Sequence, residues 1–241
     1  MDCGSKSTLR DNKFKVFMHE LAHHLPYATL SVACALMLLS LMDVFFFSDI
    51  VKSTVSSHAH TGCCHGDHFH GSPMDLLFHS FHYTHILFSV SGVMLTFYRY
   101  SKRVITGIII GVISAATFCT FSDVLLPYVG GLFLGFNMNL HICFTSELSN
   151  ILPFVVIGVL NGLVMFYIKE LKTELNSLKL HFLHTFISAM ASTFYAIGNG
   201  FSDFHTEFGM FFLMILVAVV IPCTLSDVIV PIVCAHFIGE K

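Results

Sequence analysis

A stretch of eleven residues occurs twice in this chain, each time placing an acid inside a long apolar run. Cys119-Thr120-Phe121-Ser122-Asp123-Val124-Leu125-Leu126-Pro127-Tyr128-Val129 returns as Cys223-Thr224-Leu225-Ser226-Asp227-Val228-Ile229-Val230-Pro231-Ile232-Val233, with seven of eleven positions identical. A helix needs about 20 predominantly apolar residues to cross a bilayer, and runs of that kind recur along the sequence. A carboxyl group inside such a run is costly to bury and is a functional candidate by default. The duplication implies a chain built from two related halves.

Composition supports the membrane reading. Of the 241 residues, 55% are hydrophobic and only 11% charged, against about 25% charged in soluble domains. The expected fold class is all-α, a polytopic membrane protein whose partner is the lipid bilayer. A net charge of -3 without a basic stripe argues against a nucleic-acid partner. The 16 histidines outnumber the 12 lysines and arginines. The eight cysteines are scattered and read as buried small residues or soft metal ligands rather than a disulfide framework. Residues 1–18 are polar and lack the apolar core of a removable signal peptide.

Six spans are expected, at about 25–47, 79–98, 104–129, 151–168, 181–197 and 208–233. Residues 130–144 are apolar but too short to cross, and read as a connector or re-entrant piece. Lys6, Arg10, Lys13, Lys15, Arg99, Lys102, Arg103, Lys169, Lys172, Lys179 and Lys241 fall on one side of this layout, leaving Lys52 alone on the other. The positive-inside rule then predicts cytoplasmic termini, in a plasma or inner membrane.

The repeat extends beyond the opening motif. Glu20-Leu21-Ala22-His23-His24-Leu25-Pro26-Tyr27 matches Glu147-Leu148-Ser149-Asn150-Ile151-Leu152-Pro153-Phe154, and His82-Tyr83-Thr84-His85 matches His181-Phe182-Leu183-His184. The paired features keep their order, so each half is a three-span unit, and an odd number of spans inverts the second copy. The expected divisions are a cytoplasmic segment 1–18, a first unit 19–131 with an outward loop 49–74, a connector 132–146 and an inverted unit 147–237.

Inversion sorts the polar residues into two clusters. His79, His82, His85, Asp123 and Glu147, with His141 in reach, gather at the outer side. His19, Glu20, His23, His24, His181, His184 and Asp227 gather at the inner side. Imidazole with carboxylate suits Zn²⁺ and related divalent first-row ions. Residues three or four apart share one helix face, so His79, His82 and His85 form a stripe, as do His19 and His23. The bland alternatives are interfacial histidines and Ser-Asp pairs that satisfy backbone groups freed by Pro127 and Pro231. Thr120, Ser122, Thr224 and Ser226 read as packing or capping residues. The outward loop contains His58, His60, Cys63, Cys64, His65, His68 and His70, a flexible set suited to accessory metal capture at an entrance.

His19-Glu20-Leu21-Ala22-His23 also fits H-E-x-x-H, the zinc-protease helix with two His ligands and a glutamate base. An intramembrane metalloprotease with Asp227 as third ligand is therefore an alternative function. Against it, the leucine-aspartate-glycine motif of such proteases is absent, and the repeat partner of Glu20, Glu147, lacks flanking histidines.

The stretch His19-Glu20-Leu21-Ala22-His23-His24-Leu25-Pro26-Tyr27-Ala28 resembles the H-E-x-P-H-E-x-G-D-F-A helix of ZIP-type zinc transporters, departing from it at Ala22, His24, Pro26 and Tyr27. The resemblance implies that His19, Glu20 and His23 line a transport site. It also implies inverted three-span units with a His-rich loop, although that family has eight spans and a companion motif not matched here. The function expected is transport, in the uptake direction, of a divalent transition-metal ion, with Zn²⁺ as substrate. The expected site combines Asp123, Asp227 and the H-x-x-H pairs, and a metal-sensing or partner-binding subunit is the remaining alternative. A homo-oligomer is compatible with the sequence.

Overall fold

The computed structural model describes residues 4–42, 73–141, 147–168, 174–201 and 206–239; side chains are described at Met18, Ala22 and 25–42 of the first helix and from Lys179 onward in 174–201. The helices are α1 (Gly4–Met42), α2 (Pro73–Tyr100), α3 (Val104–Thr120), α4 (Leu126–Phe133), α5 (Leu148–Tyr167), α6 (Glu174–Gly198), α7 (Phe208–Thr224) and α8 (Val230–Gly239). Two π-helical segments interrupt this pattern: Phe121–Leu125 joins α3 to α4, and Leu225–Ile229 joins α7 to α8. No strand occurs among the described residues.

Five helical stretches are long and apolar enough to cross a membrane: Leu25–Met42, Val104–Phe133, Leu148–Tyr167, Lys179–Gly198 and Phe208–Ile238. The second expected span, α2, has 28 residues, enough at about 1.5 Å per residue, but its polar face keeps it out of that set. α1 and α5 each continue through an internal proline, Pro26 and Pro153.

The distribution of side chains is inside-out relative to a soluble domain. On α5, Leu148, Leu152, Val156, Leu160 and Val164 recur every four residues and all are exposed; Ile105, Ile109 and Ile113 do the same on α3, and Leu213, Val217 and Ile221 on α7. Spacing by four keeps each set on one helix face. Apolar stripes of this length on several outer faces exceed what a soluble surface carries and suit hydrocarbon. The interior meanwhile holds histidines, serines and both motif aspartates.

Close helix contacts come from two small-xxx-small pairs that grip α2. Gly107 and Gly111 of α3 lie against Tyr98 and Met94, where an added Cβ would sit 2.4 and 2.9 Å from the nearest side-chain atoms. Gly158 of α5 faces the backbone of α2, its position for a Cβ only 2.8 Å from the Leu87 carbonyl oxygen, while Gly162 abuts Met94. Without a hydrophobic force between helices in lipid, such backbone approach is what drives packing. α2 thus packs on α3, α5 and α6, while α6 packs on α1, α2 and α7.

Two apolar clusters result. One gathers α1, α6 and α7 around Leu36, Leu39, Phe194 and Phe211. The other gathers α2, α3 and α5 around Ile86, Met94, Phe97 and Ile151. A seam of polar residues runs between them.

The connector begins as helix, because α4 continues to Phe133. It then closes by a Schellman motif: Phe136 N–H donates to the Gly131 carbonyl and Gly135 N–H to that of Leu132, with Gly135 supplying the positive φ of +85° that the motif needs. Residues 136–141 fold back along the end of α6, where Asn139 N–H donates to the Asn199 carbonyl and Phe136 lies 4.0 Å from Phe201 between ring centroids.

Candidate metal centre

The site begins with the two prolines. Proline cannot donate a backbone hydrogen bond, and its ring clashes with the carbonyl four residues earlier. Four residues before Pro127 and Pro231 stand Asp123 and Asp227. In both places the chain widens into a π turn: Leu126 N–H reaches back five residues to Phe121, and Val230 N–H reaches Leu225. Single π turns of this kind are associated with functional sites because they redirect side chains. The Ser122 carbonyl loses both possible partners, Leu126 by register and Pro127 by chemistry. It is satisfied instead by the Ser192 hydroxyl of α6 at 2.9 Å.

The widened turn presents Asp123 to α2 and α6. Its carboxylate is fully buried and accepts four hydrogen bonds. Oδ2 takes Nδ1–H of His82 at 2.8 Å and of His85 at 2.7 Å, and Oδ1 takes the Ser122 and Ser188 hydroxyls, each at 2.8 Å. A buried charge is tolerable only when paired and hydrogen-bonded in this way. The i, i+3 spacing of His82 and His85 is what lets both rings reach one oxygen.

Asp227 is placed the same way in the second copy. Its Oδ2 accepts Nδ1–H of His181 at 3.3 Å and of His184, in a shorter contact. The serine contacts also repeat: Ser188 reaches Ser122 at 3.3 Å, and Ser89 of α2 reaches Ser226 at 3.4 Å, with Ser114 adding a contact to Ser226 at 3.0 Å. The halves differ at the second carboxylate oxygen. Asp123 Oδ1 is saturated, whereas Asp227 Oδ1 is buried with no hydrogen-bond partner.

The two half-sites are in contact. His85 Nε2 lies 2.5 Å from His184 Nε2 at the crossing of α2 and α6, their rings 4.4 Å apart between centroids. Cys119 and Cys223, the first residues of the two motif copies, each place Sγ 3.8 Å from His85 Nε2.

The expected clusters are therefore redistributed. His82, His85 and Asp123 meet at depth, as do His181, His184 and Asp227. The rest of the outer cluster forms a separate, shallower group around the start of α5. There the Glu147 carboxylate accepts from Tyr83 in a short contact and from Asn150 at 3.2 Å, and lies 3.8 Å from His79 Nε2. His141 is exposed, its ring 6.0 Å from that of His79. Burial pushes the Glu147 carboxyl up, but the hydrogen bonds from Tyr83 and Asn150, with His79 and His141 nearby, more than offset it and hold it below the usual glutamate range. The side chains of His19, Glu20, His23 and His24, and the whole capture loop with His58, His60, Cys63, Cys64, His65, His68 and His70, lie outside the described residues.

Ser188, Ser192, Ser89 and Ser114 escaped the sequence reading, because a serine within a span carries no signal of its partner. Cys119 and Cys223 did carry one. They are invariant between the motif copies and stand four residues before each aspartate, on the same helix face. Comparison with family models, curated proteins and solved structures found no match to this chain.

Proposed function

We propose that the protein is a transporter of divalent transition-metal ions, with zinc as substrate, built from two inverted three-helix units. The observation that carries this reading is the meeting of His85 and His184, one from each sequence repeat, inside a bundle whose outer faces are apolar. Each imidazole is held by its own buried aspartate through Nδ1. Carboxylate–histidine pairs of this kind orient a ring so that Nε2 is free to bind a metal. The contacts of the two units also answer one another: α2 packs on α5 as α6 packs on α1, and each motif touches the H-x-x-H helix of both repeats. Such reciprocity is what an inverted repeat needs to expose one central site alternately to either side.

Both termini would then be cytoplasmic, and the outward His/Cys loop would favour uptake by concentrating ions at the entrance. The shallow group of His79, His141 and Glu147 would lie on the outward path of this scheme, ahead of the buried centre. The protease reading asked Asp227 to serve as third ligand, but His181 and His184 already engage that carboxylate.

Protein reconstituted into liposomes that enclose a zinc-sensitive dye should take up Zn²⁺. Asp123→Ala and Asp227→Ala should each lower the initial rate by about 10- to 100-fold, the usual cost of losing a ligand's supporting carboxylate. Unchanged uptake in both variants would contradict the reading.

A further inference from the structure

Among the described residues, three groups of buried His, Cys and Asp have ligand atoms within 4.8 Å of one another: His82 with His85 and Asp123, His181 with His184 and Asp227, and His85 with His184 and Cys223. The first two account for themselves, because imidazole N–H groups donate to a carboxylate. The third has no such account. His85 and His184 have each given Nδ1–H to an aspartate, and a neutral imidazole has only one N–H. In their neutral forms both rings then turn an Nε2 acceptor toward one point, 2.5 Å apart, with the Cys223 sulfur 3.8 Å from His85 Nε2. The Cys223 S–H points elsewhere, to Ser188 Oγ at 3.5 Å. Three donor atoms converge in a closed interior. The buried Asp227 Oδ1 without a donor marks the same neighbourhood as short of positive charge.

We propose that the transported ion is held by His85 Nε2, His184 Nε2 and the Cys223 thiolate, with Asp123 and Asp227 as positioning residues behind the two rings rather than as ligands. This rests on the transporter reading above. Binding forms two metal–nitrogen bonds and one metal–sulfur bond, and breaks the Cys223 S–H bond, whose proton leaves to water. Tetrahedral coordination with metal–nitrogen bonds of about 2.0–2.1 Å sets the two nitrogens about 3.3 Å apart, so the rings separate by less than an ångström. Three protein ligands leave the fourth position open, as exchangeable rather than structural zinc sites do. A thiolate with two imidazoles selects zinc, cobalt and cadmium over magnesium, calcium and manganese, which prefer oxygen.

Cobalt substitution tests this on the full-length protein in detergent. Co²⁺ should bind with a tetrahedral visible spectrum and a thiolate-to-cobalt charge-transfer band in the near ultraviolet. The band should vanish in Cys223→Ser and persist in Cys119→Ser, whose sulfur stands outside the three-donor group. Cadmium NMR of the unmutated protein provides a second readout that needs no variant to fold, and should give a single resonance shifted downfield by one sulfur ligand. A tetrahedral cobalt spectrum without the charge-transfer band, or a cadmium resonance typical of oxygen and nitrogen ligands alone, would overturn the site. Zinc flux with no sulfur ligation would retain the transporter and remove this site. Sulfur-ligated metal with no flux would retain the site and remove the transporter.

Discussion

At the scale of single residues, two carboxylates illustrate how differently this chain treats charge. Asp123 is wholly enclosed and tied by two imidazoles and two hydroxyls. Glu147 is partly exposed, at 19% of its side chain, and its ionised form is stabilised by Tyr83, Asn150 and the histidines beside it. A carboxyl whose folded pKa lies below its unfolded value contributes stability that is present in full above the unfolded value. That contribution is lost as pH falls through the folded one. The melting temperature of the wild-type protein should therefore fall as pH is lowered through the glutamate range. Glu147→Gln should flatten that part of the curve, as followed by thermal denaturation in detergent from neutral pH to pH values of about 3. The motif aspartates and the H-x-x-H histidines were legible as candidates because they recur in order. The roles of Ser188 and Ser192 were not, since they depend on where α6 crosses the π turn, and helix crossings leave no mark on a single span.

At the scale of elements, the proline-driven π turn explains why an acid can sit at this depth. Pro127 removes a donor, Leu126 shifts its hydrogen bond to Phe121, and Ser192 caps the carbonyl that is released. Removing the Ser192 hydroxyl leaves that carbonyl buried and unpaired, at a cost of about 1–3 kcal/mol. In a Pro127→Ala background the restored N–H supplies a partner, so Ser192→Ala should cost less there. A double-mutant cycle in thermal or denaturant stability should return a coupling of about 0.5–3 kcal/mol, the range seen for residues sharing one network. The glycine pairs make a separate prediction. Gly158→Val sets a side chain against the Leu87 carbonyl and should destabilise the α2–α5 contact by about 1–3 kcal/mol, as overpacking does, measured as a loss of thermal stability in detergent. Five of the six expected spans correspond, among the described residues, to helical stretches long and apolar enough to cross a membrane, and the π turns coincide with the Ser-Asp motifs. No such π turn accompanies Pro26 or Pro153, and both helices continue past them. Pro153 lies in the second turn of α5, near enough to its start that few backbone bonds are lost.

At the scale of the whole molecule, the sequence pattern puts the two aspartates in separate outer and inner clusters. The packing of α2 on α6 joins the half-sites through His85 and His184. The sequence placed His82 and His181 at span ends, but α2 starts at Pro73 and α6 at Glu174, so the H-x-x-H pairs lie two turns or more inside their helices. Both helices begin six or seven residues before the expected spans. One shared site between two repeats is the central claim. Zinc-loaded crystals measured at the zinc absorption edge test it most directly. The account predicts a single anomalous peak between α2 and α6, about 2.0–2.3 Å from His85 Nε2, His184 Nε2 and Cys223 Sγ. Two separate peaks, one on Asp123 and one on Asp227, or no peak at the crossing of the two helices, would contradict it.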